Sequence, residues 1–228
     1  MKRNVANTRE RIMESAARMF EAEGVRAATV DGIAAGAGVT KRTLYYHFRS
    51  KDDLIAASLN EQDLVEQRAI DFVREAGDGS IEELLASVFS NIIRNASNAR
   101  WKGCAFSRTA VELAGLPGHP AVSAAKKHRA KVERIFSDRL EAIGARDAAR
   151  SARRLMILID GAITHCLVHH DPNYAVEARE MALELVAAAK TGSRSRICLL
   201  DGSVNSEAGP SIVYDVCRGM GLNRVRAG

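Results

Sequence analysis

The chain has 228 residues, 46% of them hydrophobic and 27% charged, which is enough for a sizeable core in one large or two small domains and ordinary for a globular rather than a disordered protein. Its four cysteines, Cys104, Cys166, Cys198 and Cys217, form no C-x-x-C pair, and its longest apolar run, Leu155 to Ile159, stops at Asp160; a disulfide framework and a membrane span are both excluded, and a soluble cytoplasmic protein with reduced thiols is expected. The net charge is +5, and residues 1–50 hold nine Lys and Arg against five Asp and Glu, so +4 of the excess sits in the first fifth of the chain and suits a polyanionic partner.

The pattern predicts a first helix from about Thr8 to Glu23, opened by a capping box of Asn7 and Glu10 and stopped at Gly24. Its apolar stripe is Ile12, Ala16, Met19 and Phe20. Thr29 caps a short second helix and Thr40 a short third, with Gly36-Ala37-Gly38 supplying the tight turn between them. Ser50 and Asp53 open a fourth helix that runs from Lys51 to about Glu75 and reaches into a second domain, with Leu54, Leu64, Val65, Ala69, Phe72 and Val73 as apolar positions.

Gly77-Asp78-Gly79 breaks that helix, and Ser80 with Glu83 begins a fifth whose inner face carries Leu84, Leu85, Val88, Phe89, Ile92 and Ile93. A loop at Trp101 to Cys104 leads to a short sixth helix ending near Gly115. Pro120, after the break at Pro117-Gly118-His119, suits the first turn of a seventh helix to Ile143. An eighth helix is expected over Arg146–His170 and a ninth over Asn173–Lys190. No comparable strand pattern occurs in residues 1–190, so the fold class is all-α. From Thr191 onward lysine is absent and the helical period is lost, which predicts a poorly ordered extension over 191–228.

The stretch from Thr29 to Lys51 carries the functional signal. On the third helix Val39, Leu44 and Phe48 make the buried side, leaving Lys41, Arg42, Thr43, Tyr45, Tyr46 and His47 for another surface. A short helix with cationic, hydroxyl and aromatic groups on its open side suits the major groove of DNA. The segment from Asn7 to about Leu59, and the string Thr-Leu-Tyr-Tyr-His-Phe-Arg-Ser-Lys at 43–51 above all, resembles the DNA-binding domain of the TetR family of transcriptional repressors.

The resemblance implies a three-helix helix-turn-helix domain over residues 1–55 and a larger helical effector-binding and dimerisation domain over 56–190. It implies that Lys41, Arg42 and Thr43 read base edges, with Tyr45 reaching a base or a thymine methyl. Thr29, Thr40, Tyr46, His47 and Lys51 would hold phosphates through hydroxyls, a ring nitrogen, a point charge and helix-terminal amides. Arginine and lysine favour the paired acceptors of guanine, so a G·C pair is expected in each half-site.

It also implies a homodimer on a palindromic operator, built through the eighth and ninth helices. Leu155, Ile159, Ala162, Ile163 and Cys166 of the eighth and Met181, Leu185, Val186 and Ala189 of the ninth are the expected interface, with Gly161 and Ala162 allowing close approach. A pocket for a small, partly apolar effector is expected among helices five to eight, lined by Phe89, Ile93, Trp101, Cys104, Phe106, Phe136, Met156 and His165. Ordinary core packing accounts for the same residues.

Three other groupings carry less. His165, His169, His170 and Asp171 crowd a helix end that simply stops at Pro172, so no metal is expected. Cys104 and His119 lack an ordering third group and an oxyanion device, so no enzyme and no cofactor are expected, although a loop cysteine can sense redox state. An architectural DNA-binding protein that answers to no small molecule, or a carrier or enzyme with a vestigial reader, are the alternatives.

Overall fold

The computed structural model describes residues 5–76 and 79–191, with side chains described at 8–64 and 79–191. Nine α-helices and no strands occur among them: α1 (Val5–Glu23), α2 (Val30–Gly36), α3 (Lys41–His47), α4 (Lys51–Ala76), α5 (Ile81–Ala96), α6 (Ala105–Glu112), α7 (Pro120–Ala142), α8 (Ala148–His169) and α9 (Asn173–Thr191). None of the described helices is long and apolar enough to cross a membrane. The expected order of residues 192–228, the cysteines at 198 and 217, and the apolar positions Val65, Ala69, Phe72 and Val73 lie outside what is described.

Local chemistry sets the helix ends. Oγ1 of Thr29 accepts from Gly32 N at 3.1 Å, Oγ1 of Thr40 from Thr43 N at 3.1 Å, Oγ of Ser50 from Asp53 N at 3.0 Å and Oγ of Ser80 from Glu83 N at 3.2 Å. Each satisfies an amide that the first turn leaves unpaired. α1 departs from expectation: it begins at Val5, so Asn7 lies inside the helix and not at its cap. Nothing in Val5-Ala6 breaks a helix. α7 begins at Pro120 as its sequence predicts, but its cap is an imidazole: His119 Nδ1 accepts from Ala121 N at 3.1 Å.

Two apolar clusters organise the chain. The first joins Ile12, Ala16 and Phe20 of α1, Ile33 and Ala34 of α2, Leu44 and Phe48 at α3, and Leu54, Ile55 and Leu59 of α4. Phe106, Leu113, Ala121 and Ala125 complete it from α6 and α7. The second joins α5, the far half of α7, α8 and α9 around Phe89, Phe136, Leu140, Leu155 and Val186. α7 packs along α8, α8 along α9, and α5 against α9.

The turn between α2 and α3 is a Schellman closure: Gly38 N donates to Ala35 O at 3.0 Å and Val39 N to Ala34 O at 2.9 Å, with Gly38 at φ +63°. Arg11 of α1 donates its Nη2 to the carbonyls of Ala37 and Gly38, and Ser15 Oγ donates to Ile33 O at 2.9 Å. A Cβ at Gly38 would stand 2.7 Å from the Arg11 guanidinium, and one at Gly36 2.5 Å from Ser15 Oγ. α1 therefore grips the turn by its backbone, and the small residues are what permit the approach.

Candidate nucleic-acid interface

α3 divides its residues as its sequence predicts. Leu44 and Phe48 are buried, Lys41, Arg42, Tyr45 and Tyr46 are exposed, and Thr43 and His47 are half-buried. Tyr46 is 79% exposed, so neither tyrosine packs inward as core. Burial of one side at 44 and 48 fixes the rotation of this seven-residue helix and sends the cationic and aromatic groups out.

Several of these groups already have partners. Lys41 Nζ pairs with Asp31 Oδ2 of α2 at 3.0 Å, and the hydrogen bond and charge of Asp31 raise the lysine above its ordinary value. The hydroxyls of Thr40 and Thr43 lie 2.8 Å apart, and the His47 ring meets Tyr46 edge-on at 5.3 Å. Lys51 Nζ donates to Arg26 O at 3.0 Å, so this expected phosphate anchor also ties α4 to the loop after α1. Arg42 has no hydrogen bond or ion pair among the described residues and projects from the first turn of α3. Arg9, not among the expected readers, lies with its guanidinium 5.2 Å from the centre of the Phe48 ring.

The reader is tied to the bundle by α6 and α7. Arg108 donates to the carbonyls of Phe20 and Glu21 at the end of α1, and Glu112 accepts from Arg26 N at 3.0 Å. Phe20 O already accepts from Gly24 N at 3.1 Å, so the guanidinium adds a second donor there and closes the last turn of α1 at Glu21. On the other side Asp52 of α4 faces His119 Nε2 at 3.2 Å. Asp63 receives His128 at 2.7 Å and Lys131 at 3.1 Å. Burial pushes the Asp63 carboxyl up, but bonds and charge from His128 and Lys131 outweigh it and hold the group below its ordinary value.

The eight residues expected around an effector are not brought together. Phe106 and Cys104 belong to the first cluster, while Phe89, Ile93, Trp101, Phe136 and Met156 belong to the second. Phe89, Phe106 and Phe136 are fully buried core. His165 is exposed and stacks with His169 at 5.7 Å and Tyr174 at 5.1 Å. A cleft of about 760 Å³ lies elsewhere, between α1, α4 and the stretch from Trp101 into α6; of the eight, Trp101 alone lines it. Cys104 precedes α6 without capping it, and both nitrogens of His119 are engaged by Ala121 N and Asp52, so the pair forms no thiol–imidazole unit.

The expected dimer stripes also divide. Leu155, Ile159, Ala162, Cys166 and Val186 are buried within the chain, Ile163, Leu185 and Ala189 are half-buried, and Met181 is exposed. The open apolar surface of α8 is one step round the helix, at Ile157 and Val168, with the half-buried Gly161 and the exposed Thr164 between them; on α9 it runs through Tyr174 and Met181. Two apolar stripes share each helix, and periodicity alone does not tell the inner from the outer.

A buried-backed third helix after a Schellman turn, braced by a first helix and offering cations and tyrosines, defines a helix-turn-helix DNA-binding protein. Residues 12–58 match the family model for bacterial regulatory proteins of the TetR family, and residues 118–188 match the tetracyclin repressor-like C-terminal domain. The HTH-type transcriptional regulator TtgR of Pseudomonas putida is 29% identical over 185 residues, 75% of this chain and 85% of the relative. A solved TetR-type regulator of Streptomyces avermitilis is 32% identical, with a TM-score of 0.69 over 80% of this chain and 97% of that one. SCO4454, a TetR-family regulator of Streptomyces coelicolor, is 28% identical with a TM-score of 0.73, covering 81% and 97%. The chain belongs to the TetR family of DNA-binding transcriptional regulators.

Proposed function

We propose that the protein is a ligand-responsive repressor that occupies a palindromic operator as a homodimer, with residues 1–55 as reader and 56–190 as effector and dimerisation domain. The observation that carries this reading is the division of α3, in which Leu44 and Phe48 are buried while Arg42, Tyr45 and Tyr46 face outward. Arg42, Lys41 and Thr43 read base edges, with Lys41 first leaving Asp31, and Tyr45 meets a base or a thymine methyl. Thr29, Thr40, Tyr46, His47 and Lys51 hold the backbone.

One reader of this size makes too few contacts for strong specificity, and two joined by a two-fold axis double them. The exposed Ile157 and Val168 of α8, with Tyr174 and Met181 of α9, support a second copy packed against this face. A Cβ built at Gly161 meets nothing within 4 Å, which leaves room for another helix. The experiment is selection of random duplex DNA by the purified protein beside a Lys41, Arg42 and Tyr45 triple-alanine variant. A palindrome enriched only by the wild type is expected; no enrichment by either sinks the reading.

A second reading, an effector-independent DNA-binding protein, is favoured by the closed packing of Phe89, Phe136 and Met156 where an effector was expected. The cleft lined by Trp101 favours the first.

A further inference from the structure

We propose that the cleft between α1, α4 and the Trp101–Thr109 stretch is a binding site for a bulky aromatic organic cation, a ligand class that rests on the ligand-responsive reading above. At about 760 Å³ the cleft has the size of a small-molecule site. Its floor is apolar, with Phe20, Ile55 and Leu59 drawn from the first core cluster and the half-buried indole of Trp101 beside them. Its rim is different in kind: Glu10, Glu14 and Glu21 come from α1 and Glu61 from α4. Four carboxylates converge here in a chain whose first fifty residues are net basic.

The cations that also line the cleft do not balance them. Arg108 is spent on the Phe20 and Glu21 carbonyls, and its charge is matched by Glu112 at 3.7 Å. Arg9, 5.2 Å from the centre of the Phe48 ring, and Lys102 keep their charges, which leaves two cations against the four carboxylates. Glu14 has a loose, exposed contact with Arg18 at 3.9 Å, while Glu10, Glu21 and Glu61 have no ion-pair partner among the described residues. Unpaired carboxylates around an apolar floor repel phosphates and carboxylates and attract a positive charge that carries apolar surface. An indole face is the side chain best suited to hold such a charge. Size, apolar floor, anionic rim and indole select one chemistry, an aromatic cation.

The site also lies where occupancy would be felt. Glu10 and Glu14 stand on the helix whose other residues, Arg11 and Ser15, grip the α2–α3 turn. Across the cleft, Arg108 holds the far end of that helix. A ligand wedged between α1 and α4 therefore bears on both attachments of the reader.

The test is calorimetric titration of the full chain with tetraphenylphosphonium chloride, and with tetraphenylborate as the anion of the same shape. Fluorescence of Trp101, the chain's single tryptophan, serves as an independent signal. Saturable binding of the phosphonium, a shifted Trp101 emission, rejection of the borate, and weakening by about tenfold or more in an E10Q/E61Q double variant are expected. No saturable phosphonium binding, equal binding of the borate, or an unaffected double variant overturns the proposal. Selection of duplex DNA by the same preparation separates the two readings. DNA enrichment without phosphonium binding removes only the cleft site, whereas phosphonium binding without DNA enrichment removes the repressor and leaves the site.

Discussion

In the reader, α2 and α3 are seven residues each and bury one narrow side against α1. Everything not used for packing is then exposed, so the functional surface is what remains after the core has been subtracted. The bundle of α5, α7, α8 and α9 is built differently. α8 and α9 are 22 and 19 residues long and carry apolar residues both toward their neighbours and toward the outside. There the same residue types serve core and surface, and subtraction leaves no unique answer. Short amphipathic helices declare their open face; long ones with two apolar stripes do not.

The comparison can be broken from either side. The largest expected effect is Ile157→Glu, which sets a charge in the exposed stripe of α8. It should give a monomer by sedimentation and lower affinity for a palindromic duplex by about 10²–10⁴, with little change in Tm. An unchanged dimer would show that this stripe is not the interface. Phe136→Ala removes a fully buried ring from the second cluster and should cost about 3–5 kcal/mol of stability by denaturant titration. A neutral result would mean that the bundle repacks around the loss.

Arg42→Ala should leave Tm unchanged and cost about 1–3 kcal/mol at one base position, seen as relaxed preference in a selected motif. If affinity falls equally on every sequence, Arg42 touches phosphate instead. The smallest effect is at the joint between the two regions. The Asp63 carboxyl is held below its ordinary value in the folded chain, so its contribution to stability is present above the unfolded carboxylate value near ~3.9 and disappears as pH falls through the lower folded one. Asp63→Asn should therefore lower Tm at pH 7, and the gap from wild type should close in acid. A gap independent of pH would show that shape, not charge, joins α4 to α7.

Much of the reader was legible because its signals are local. Thr29, Thr40 and Ser50 each precede the amide they cap by three residues, and Gly38 marks the one turn residue at positive φ between α2 and α3. Pro120 announced the start of α7. Other features hid in separation along the chain. Arg108 meets Phe20 and Glu21 across 88 and 87 residues, and His128 meets Asp63 across 65, and no local pattern connects such partners. The cleft escaped for the same reason, since its rim joins positions 10, 14, 21 and 61 to an indole at 101. Asn7 misled in the opposite way: a good capping residue followed by glutamate signals a helix start only when the residues before it cannot join the helix.

The clamp at the end of α1 also bears on how this sequence can drift. Gly24 lies at φ +88°, and a Cβ there would stand 2.7 Å from Glu112 Oε1, the side chain that also accepts from Arg26 N and faces Arg108. Any larger residue at 24 meets both an unfavourable backbone and an occupied space. A shorter side chain at 112 would relieve the collision while abandoning the Arg26 amide and the Arg108 guanidinium. Position 24 is therefore expected to stay glycine whatever stands at 112, while 108 and 112 are inherited as a pair.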